Sequence, residues 1–283
     1  MADIRQIDRR RKSVKSIAKI THAMEMIAAS KMKKAQDRGL AGRPYSEKIT
    51  EVIASLAALY AKGQAHPLLS VRPVHKVGII HITPNRGMCG GLVGNINRKV
   101  LAFERSLGKD TTYITVGKKG MDAMRRTGRK VKADFVFNDS PAYLETLPIT
   151  RLAIDGFNSG EFDEVYVSYT KFVNTMTQEP VLVRLLPVEA AERAAGTNLE
   201  YTYEPNAAAV LDKLLPRYAE ARVYQNILES IASEFSARMI AMKNATENAK
   251  EIVEELGLQY NKARQESITT EMLDIIGGAS ALA

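Results

Sequence analysis

The chain has 283 residues, of which 45% are hydrophobic and 25% are charged, and its formal net charge is +8. This composition excludes an intrinsically disordered protein, and no uncharged apolar run reaches the roughly 20 residues that a membrane-spanning helix needs. The single cysteine, Cys89, excludes an intramolecular disulfide framework. The four histidines show no metal-ligand spacing, and the charged, periodic first 19 residues indicate mature structure rather than a signal peptide.

The positive charge is concentrated at the N-terminal end. Residues 1–48 contain 13 Lys or Arg and 5 Asp or Glu, so this segment alone carries +8. Residues 207–283 carry −3, and the middle of the chain carries +3. A basic and an acidic end can attract each other, and a basic face also suits an acidic partner such as nucleic acid, anionic lipid or an acidic protein loop.

Residues 2–38 are predicted to form one long helix, because good helix formers fill the segment and no Gly or Pro occurs before Gly39. Small or apolar residues recur every seven positions, which is typical of a coiled-coil seam. The repeat consists of Ile7, Val14, Thr21, Ala28 and Ala35. Gly39, Gly42 and Pro44 are expected to kink or interrupt the helix, which resumes at 45–61.

The middle of the chain alternates β-branched runs with helical patterns, which favours a small α/β sheet. The predicted strands are 76–83, 112–116, 130–137, 164–169 and 180–186, and the predicted helices are 92–107, 117–127 and 149–159. This domain spans about 74–203.

A second long helix is predicted over residues 206–283, with Asn206 as its N-cap. From Tyr224 to Leu256, ten positions follow alternating steps of four and three, and nine of them are apolar. Arg238 is the charged exception. It either extends its head group to solvent or fixes the register of the helix pair, for example by pairing with Glu25.

The predicted fold is therefore α/β, with a long antiparallel coiled coil of N- and C-terminal helices and an inserted small Rossmann-like α/β domain. The expected domains are an N-terminal coiled-coil helix at 1–62, with its kink near 39–44, an α/β domain at 74–203 and a C-terminal coiled-coil helix at 206–283.

The glycine-rich loop after the first strand has the spacing G-x-x-G-G-x-x-G, which matches neither the dinucleotide fingerprint nor the P-loop. Lys118 and Lys119 follow the second strand, where a dinucleotide site would need an acid for the ribose. The loop is interpreted as a tight strand-to-helix turn. A nucleophilic role for Cys89, with His81 as its base, is the weaker alternative.

Three motifs resemble the gamma-subunit family of the F-type ATP synthase over essentially the full length. They are Lys19–Met32 (KITHAMEMIAASKM), Arg86–Gly91 (RGMCGG) and Tyr260–Glu271 (YNKARQESITTE), the last followed by Asp274 and Gly278-Ala279-Ser280. Thr83-Pro84-Asn85 and Val93 depart from the family pattern, but only in the α/β domain. The chain lacks the two-cysteine chloroplast insertion, which points to the bacterial form.

The resemblance implies a central rotor shaft without a catalytic site or cofactor, which couples proton or sodium flow to ATP chemistry on the beta subunits. It implies three alpha and three beta subunits, an epsilon subunit and the membrane c-ring as partners, with neither nucleic acid nor a small-molecule substrate. Localisation would be peripheral, at the cytoplasmic face of the bacterial plasma membrane.

The resemblance also assigns partner contacts residue by residue. The contacts with the alpha/beta hexamer are Arg9, Arg10, Lys12, Met24, Lys31, Arg238, Arg264, Gln265, Thr269 and Glu271. Tyr203 and Glu204 are the expected contacts with the ring or with epsilon.

Two other functions are compatible with parts of the sequence. The basic segment 1–48 could follow a phosphate backbone, although Tyr45 is its only aromatic residue. The α/β domain could belong to a nucleotide-dependent enzyme, which the missing fingerprint disfavours.

Overall fold

The computed structural model describes residues 4–60, 66–188, 204 and 206–282. The elements follow the predicted order along the chain. They are α1 (Ile4–Tyr60), a 3₁₀ turn (Pro67–Leu69), β1 (Lys76–Ile82), α2 (Leu92–Leu107), β2 (Asp110–Val116), α3 (Lys118–Arg126), β3 (Lys130–Phe135), α4 (Tyr143–Asn158), β4 (Glu164–Phe172), β5 (Gln178–Leu186) and α5 (Ala207–Leu282). No helix in these described ranges is long and apolar enough to cross a bilayer.

The chain divides into two compact units. The coil unit consists of the described residues 4–28 and 238–282, and the sheet unit consists of residues 29–237. The α/β domain is thus inserted between the two helices of the chain ends, as the sequence predicts.

The sheet unit is built on five strands in the order β3-β2-β1-β4-β5. Four strands are parallel, and β5 pairs antiparallel with β4. One face of the sheet is covered by α2 and α3, and its core contains Ile79, Val100 and Met124. The other face packs against α4, α5 and the later part of α1, including Ile53 and Leu215. Helices on both faces explain why β1 and β2 are buried from their second residue to their last.

Two predictions about helices need correction. Of the predicted kink or interruption at 39–44, the interruption is wrong, because α1 continues through Pro44, and the kink stays a prediction. Inside the sheet unit, Gly39 and Gly42 let the Gln225 side chain of α5 approach closely, and the Gln225 amide Nε2 donates to the Gly39 carbonyl at 3.5 Å. The second correction concerns α4, which begins at Tyr143 rather than at residue 149 and holds its proline inside the helix.

The start of α5 agrees with the prediction. The Asn206 side-chain oxygen accepts from the Ala209 backbone N–H at 2.9 Å, which is the hydrogen bond expected of an N-cap. The helix then continues for 76 residues.

Candidate partner-binding surfaces

The two helices of the coil unit run antiparallel. The Thr21 and Thr246 hydroxyls lie 2.8 Å apart, and the Arg11 guanidinium lies 4.8 Å from the centre of the Tyr260 ring. An earlier residue of α1 thus meets a later residue of α5. The buried residues of the seam are Ala28, Arg238, Met242, Thr246, Ala249 and Leu256. Because the seam is narrow and partly built of small side chains, much of the surface of each helix stays exposed.

Arg238 lies inside the seam and is only 7% exposed. A guanidinium that extended its head to solvent would be far more exposed, so its burial favours the register role that the sequence left open. The other residue of that hypothesis, Glu25, forms a contact of 3.2 Å with the His22 ring on its own helix.

The start of α1 presents a basic surface. Arg9 and Arg10 are exposed, and Lys12 is exposed while its ammonium lies 2.8 Å from the Asp8 carboxylate. The hydrogen bond from Lys12 is the main cause that lowers the pKa of Asp8. Exposed apolar side chains occur on the same helix of the coil unit, namely Ile17, Ile20, Met26 and Ile27. A surface that mixes cations with apolar groups is suited to a protein partner with acidic residues.

Two predicted contact residues of α1 lie further along the helix. Met24 is half-buried in the coil unit. Lys31 belongs to the sheet unit, where it forms an ion pair with Asp139 in the loop after β3. Its ammonium also lies 5.5 Å from the centre of the Phe235 ring. Lys31 is therefore engaged by residues of its own unit.

The predicted contact residues near the end of α5 lie together on one exposed segment. Every residue from 264 to 279 is exposed, and we call this segment the exposed end of α5. It contains Arg264, Gln265, Thr269 and Glu271. The Thr269 hydroxyl donates to the Gln265 carbonyl at 2.9 Å, so that hydroxyl is engaged within the helix.

The exposed end also carries large apolar side chains that the residue assignments above did not include. Met272, Leu273, Ile275 and Ile276 are 56–67% exposed. A cluster of exposed apolar residues on a well-formed helix marks an interaction site. In the sequence, Ile268, Met272, Ile275 and Ala279 form an apolar stripe at helical spacing, but such a stripe carries no information on exposure.

A groove of about 700 Å³ adjoins this segment in the coil unit. Ile4 and Ile7 of α1 line one side, and Lys262, Glu266 and Asp274 of α5 lie among the residues on the other. The groove thus combines an apolar wall with a charged wall, next to the predicted contact residue Glu271.

The two residues predicted to contact the ring or epsilon give less information. Tyr203 lies outside the described residues, and Glu204 is exposed just before α5. Their roles stay predictions.

The nucleophile hypothesis involves His81, near the carboxyl end of β1, and this side chain is enclosed by the chain itself. His81 is fully buried between Asn97 Oδ1, at 2.8 Å from its Nε2, and Ser168 Oγ, at 3.2 Å from its Nδ1. Burial lowers the pKa of His81 to about 4. Cys89, the other residue of the nucleophile hypothesis, is also buried.

The N-terminus of α3 is occupied in the same way. Thr83 Oγ1 accepts from the Gly120 N–H at 2.8 Å, and Asn85 Oδ1 accepts from the Lys118 N–H at 3.2 Å. Gly117 has φ +95°, and a Cβ there would lie 1.9 Å from the Thr83 carbonyl oxygen, so only glycine fits this turn. These contacts favour a structural role for Gly117 and Gly120 over a phosphate site at the start of α3.

These features define the class: a coiled-coil protein with an inserted Rossmann-like domain, whose exposed helices offer surfaces to other chains. A family model described as ATP synthase matches residues 3–282. Gamma chains of ATP synthase from Dehalococcoides mccartyi (strain BAV1) and Herpetosiphon aurantiacus are 62% and 48% identical, over 100% of this chain and 100% and 99% of their own lengths. The chain belongs to the ATP synthase gamma chain family.

Solved structures agree with this family and with the fold. A chain from the central stalk and c-ring of the Tetrahymena thermophila mitochondrial ATP synthase is 25% identical, with a TM-score of 0.64 over 80% of this chain and 99% of that chain. A chain from the Euglena gracilis mitochondrial ATP synthase is 18% identical, with a TM-score of 0.69 over 99% of this chain and 94% of that chain, and it supports the fold alone.

Proposed function

We propose that this chain is the central rotor shaft of an F-type ATP synthase. It turns inside a hexamer of three alpha and three beta subunits and couples proton or sodium flow through a membrane ring to ATP synthesis or hydrolysis on the beta subunits. The chain itself has no catalytic role in this proposal. The observation that carries it is the full-length match to gamma chains, combined with an exposed end of α5 that presents apolar side chains.

The asymmetry of the coil unit gives this proposal a physical mechanism. The sides of the coil differ, because α1 carries exposed cations while the exposed end of α5 carries apolar groups and carboxylates. Three beta subunits around such a shaft face three different surfaces at any rotation angle. A bound surface shifts a conformational equilibrium only when it binds one conformation more tightly than another. Each rotation angle would therefore favour a different set of beta conformations.

The charged residues of the shaft fit this mechanism as rim contacts. Arg9, Arg10 and Lys12 would meet acidic segments of beta, while Arg264 and Gln265 would contact a beta loop. Such exposed charges set register and association rate more than affinity. Arg238 would act indirectly, by fixing the register of the helix pair.

The other end of the molecule would carry the shaft on the membrane ring. Glu204, with its neighbour Tyr203, would contact the c-ring, and the α/β domain would bind the epsilon subunit. The complex would then lie at the cytoplasmic face of a bacterial plasma membrane, with this chain as a peripheral component.

Reconstitution tests the proposal. The purified chain is mixed with alpha and beta subunits from the same source, and both the size of the complex and its ATPase activity are measured. We expect one copy of this chain per hexamer and activity that depends on it. If no complex forms and the chain is instead retained on nucleic acid at low salt, the rotor role is refuted in favour of the nucleic-acid-binding alternative.

A further inference from the structure

A second strongly basic stretch of the chain lies within the α/β domain. Residues 86–132 contain 12 Lys or Arg and 3 Asp or Glu, so 47 residues carry +9, more than the whole chain. The other residues between 49 and 206 carry a net negative charge, so the net charge of that whole region is only +3. The stretch covers α2, β2 and α3 and reaches into β3.

The fold places these cations on one layer of the sheet unit. Ile96 and Val100 of α2 and Met124 of α3 are fully buried, so the opposite sides of both helices face outward. We call the exposed cations of this layer the basic face. They are Arg98, Lys99, Arg105, Lys109, Lys118, Arg126 and Lys130.

Little of this charge is neutralised. Three neighbouring cations do have acidic partners: Arg129 with Glu104 at 3.0 Å, Arg125 with Asp134 at 3.4 Å, and Lys132 with Glu161. None of the seven cations of the basic face forms an ion pair within the described part of the chain. A layer of uncompensated cations attracts a polyanionic surface over about a Debye length.

We propose that the basic face adsorbs to anionic lipid headgroups at a membrane surface. The cations are spread over two helices, a turn and an edge strand, which fits a plane of many phosphates better than a single acidic side chain. The aromatic residues of this layer do not offer stacking platforms for bases, because Tyr113 is fully buried and Phe103 packs against Tyr166 at 4.9 Å between ring centres. The proposal rests on the rotor function, which brings the chain to a membrane.

Vesicle co-sedimentation of the full chain tests the proposal. The vesicles are phosphatidylcholine alone, or with one lipid in three replaced by phosphatidylglycerol, in about 0.1 M salt. Each cation near an anionic surface strengthens binding about fivefold. The variant Arg98→Gln/Arg105→Gln/Lys130→Gln should therefore bind the anionic vesicles about 100-fold more weakly.

A charge-matched variant serves as the control. Lys33→Gln/Lys34→Gln/Arg38→Gln removes three exposed cations from α1 and should change vesicle binding by less than fivefold. Equal losses in the two variants would mean that net charge alone drives binding and would overturn the proposal. So would equal binding to neutral vesicles, or tighter binding to an oligouridylate that the basic-face variant loses.

The two proposals fail in distinguishable ways. Vesicle binding is measured on this chain alone, whereas the rotor role is measured by ATPase activity in the mixture with alpha and beta subunits. The basic-face variant should assemble and activate as the wild type does, because its substitutions lie outside the proposed hexamer contacts. A variant that loses vesicle binding but keeps activation supports the proposal.

Discussion

The exposed end of α5 makes a quantitative prediction about assembly. Leu273, Ile275 and Ile276 are 63%, 67% and 56% exposed. Full burial of such a side chain contributes about 1.5–3 kcal/mol, so covering these exposed fractions contributes about 1–2 kcal/mol each. The triple variant Leu273→Gln/Ile275→Gln/Ile276→Gln should therefore lose about 3–6 kcal/mol of affinity for the alpha/beta hexamer. That loss corresponds to two to four decades in Kd.

The assay is a titration of alpha/beta hexamer with each variant, followed through ATPase activation. Glutamine keeps helix propensity close to that of leucine, and the side chains are exposed, so the free energy of unfolding of the chain alone should change by less than about 0.5 kcal/mol. Leu144→Gln, at an equally exposed position on α4, is the control and should leave Kd unchanged. A loss of less than tenfold in the triple variant would refute the assignment of this segment as the apolar contact.

Three further predictions concern stability and coupling. Burial lowers the pKa of His81 to about 4, against 6.5 in the unfolded chain. As the pH falls, the unfolded state therefore binds this proton first, and the free energy of unfolding falls by about 3 kcal/mol between pH 6.5 and 4. The variant His81→Gln should remove this pH dependence, as measured by denaturant titrations at several pH values. Gly117→Ala places a Cβ 1.9 Å from the Thr83 carbonyl oxygen and should cost about 3 kcal/mol or more, measured by thermal unfolding. Arg264→Ala with Gln265→Ala should lower coupled ATPase turnover while the melting temperature stays within a few degrees, because both side chains are exposed.

Each of these predictions has its own control. Gly128 also has a positive φ of +67°, but no atom lies within 4 Å of a Cβ built there, so Gly128→Ala should cost only about 1 kcal/mol. Equal losses at the two glycines would contradict the steric argument. An unchanged acid slope in the His81 variant would assign the slope to other groups. Normal turnover in the reconstituted Arg264/Gln265 variant would remove that pair from the coupling contacts.

Helices and strands with a clear sequence period were predictable from the sequence. The contacts between distant residues that support a helix across an unfavourable residue were not. A seven-residue repeat and β-branched runs are local signals, so both long helices and all five strands were expected close to their observed bounds. Gly39 and Pro44 disfavour a helix locally, but packing against Gln225 of α5 supports α1 there. Pro148 also disfavours a helix locally, yet it lies inside α4, which begins at Tyr143.

The candidate partner-binding surfaces were predictable only in part, because the exposure of a side chain depends on the three-dimensional fold. The sequence could indicate that Ile275 belongs to an apolar stripe, but only the fold shows that its side chain is 67% exposed. Lys31 is the opposite case. It was expected to contact a partner subunit, but the fold pairs it with Asp139, which is distant in the sequence. The basic face was missed because its charge is cancelled when whole regions are summed.

The insertion of the sheet unit between the two helices of the coil unit has a consequence for synthesis on the ribosome. Thr21 emerges early, but its partner Thr246 follows 225 residues later. At about 5–20 residues per second, α1 waits on the order of 10–45 s for the helix that covers its seam. The strands and α2–α4 can pair and pack during that interval, whereas the face of the sheet that α5 covers is completed only when α5 follows. The coil then closes last, so the nascent chain carries the start of α1 without its α5 partner for most of its translation.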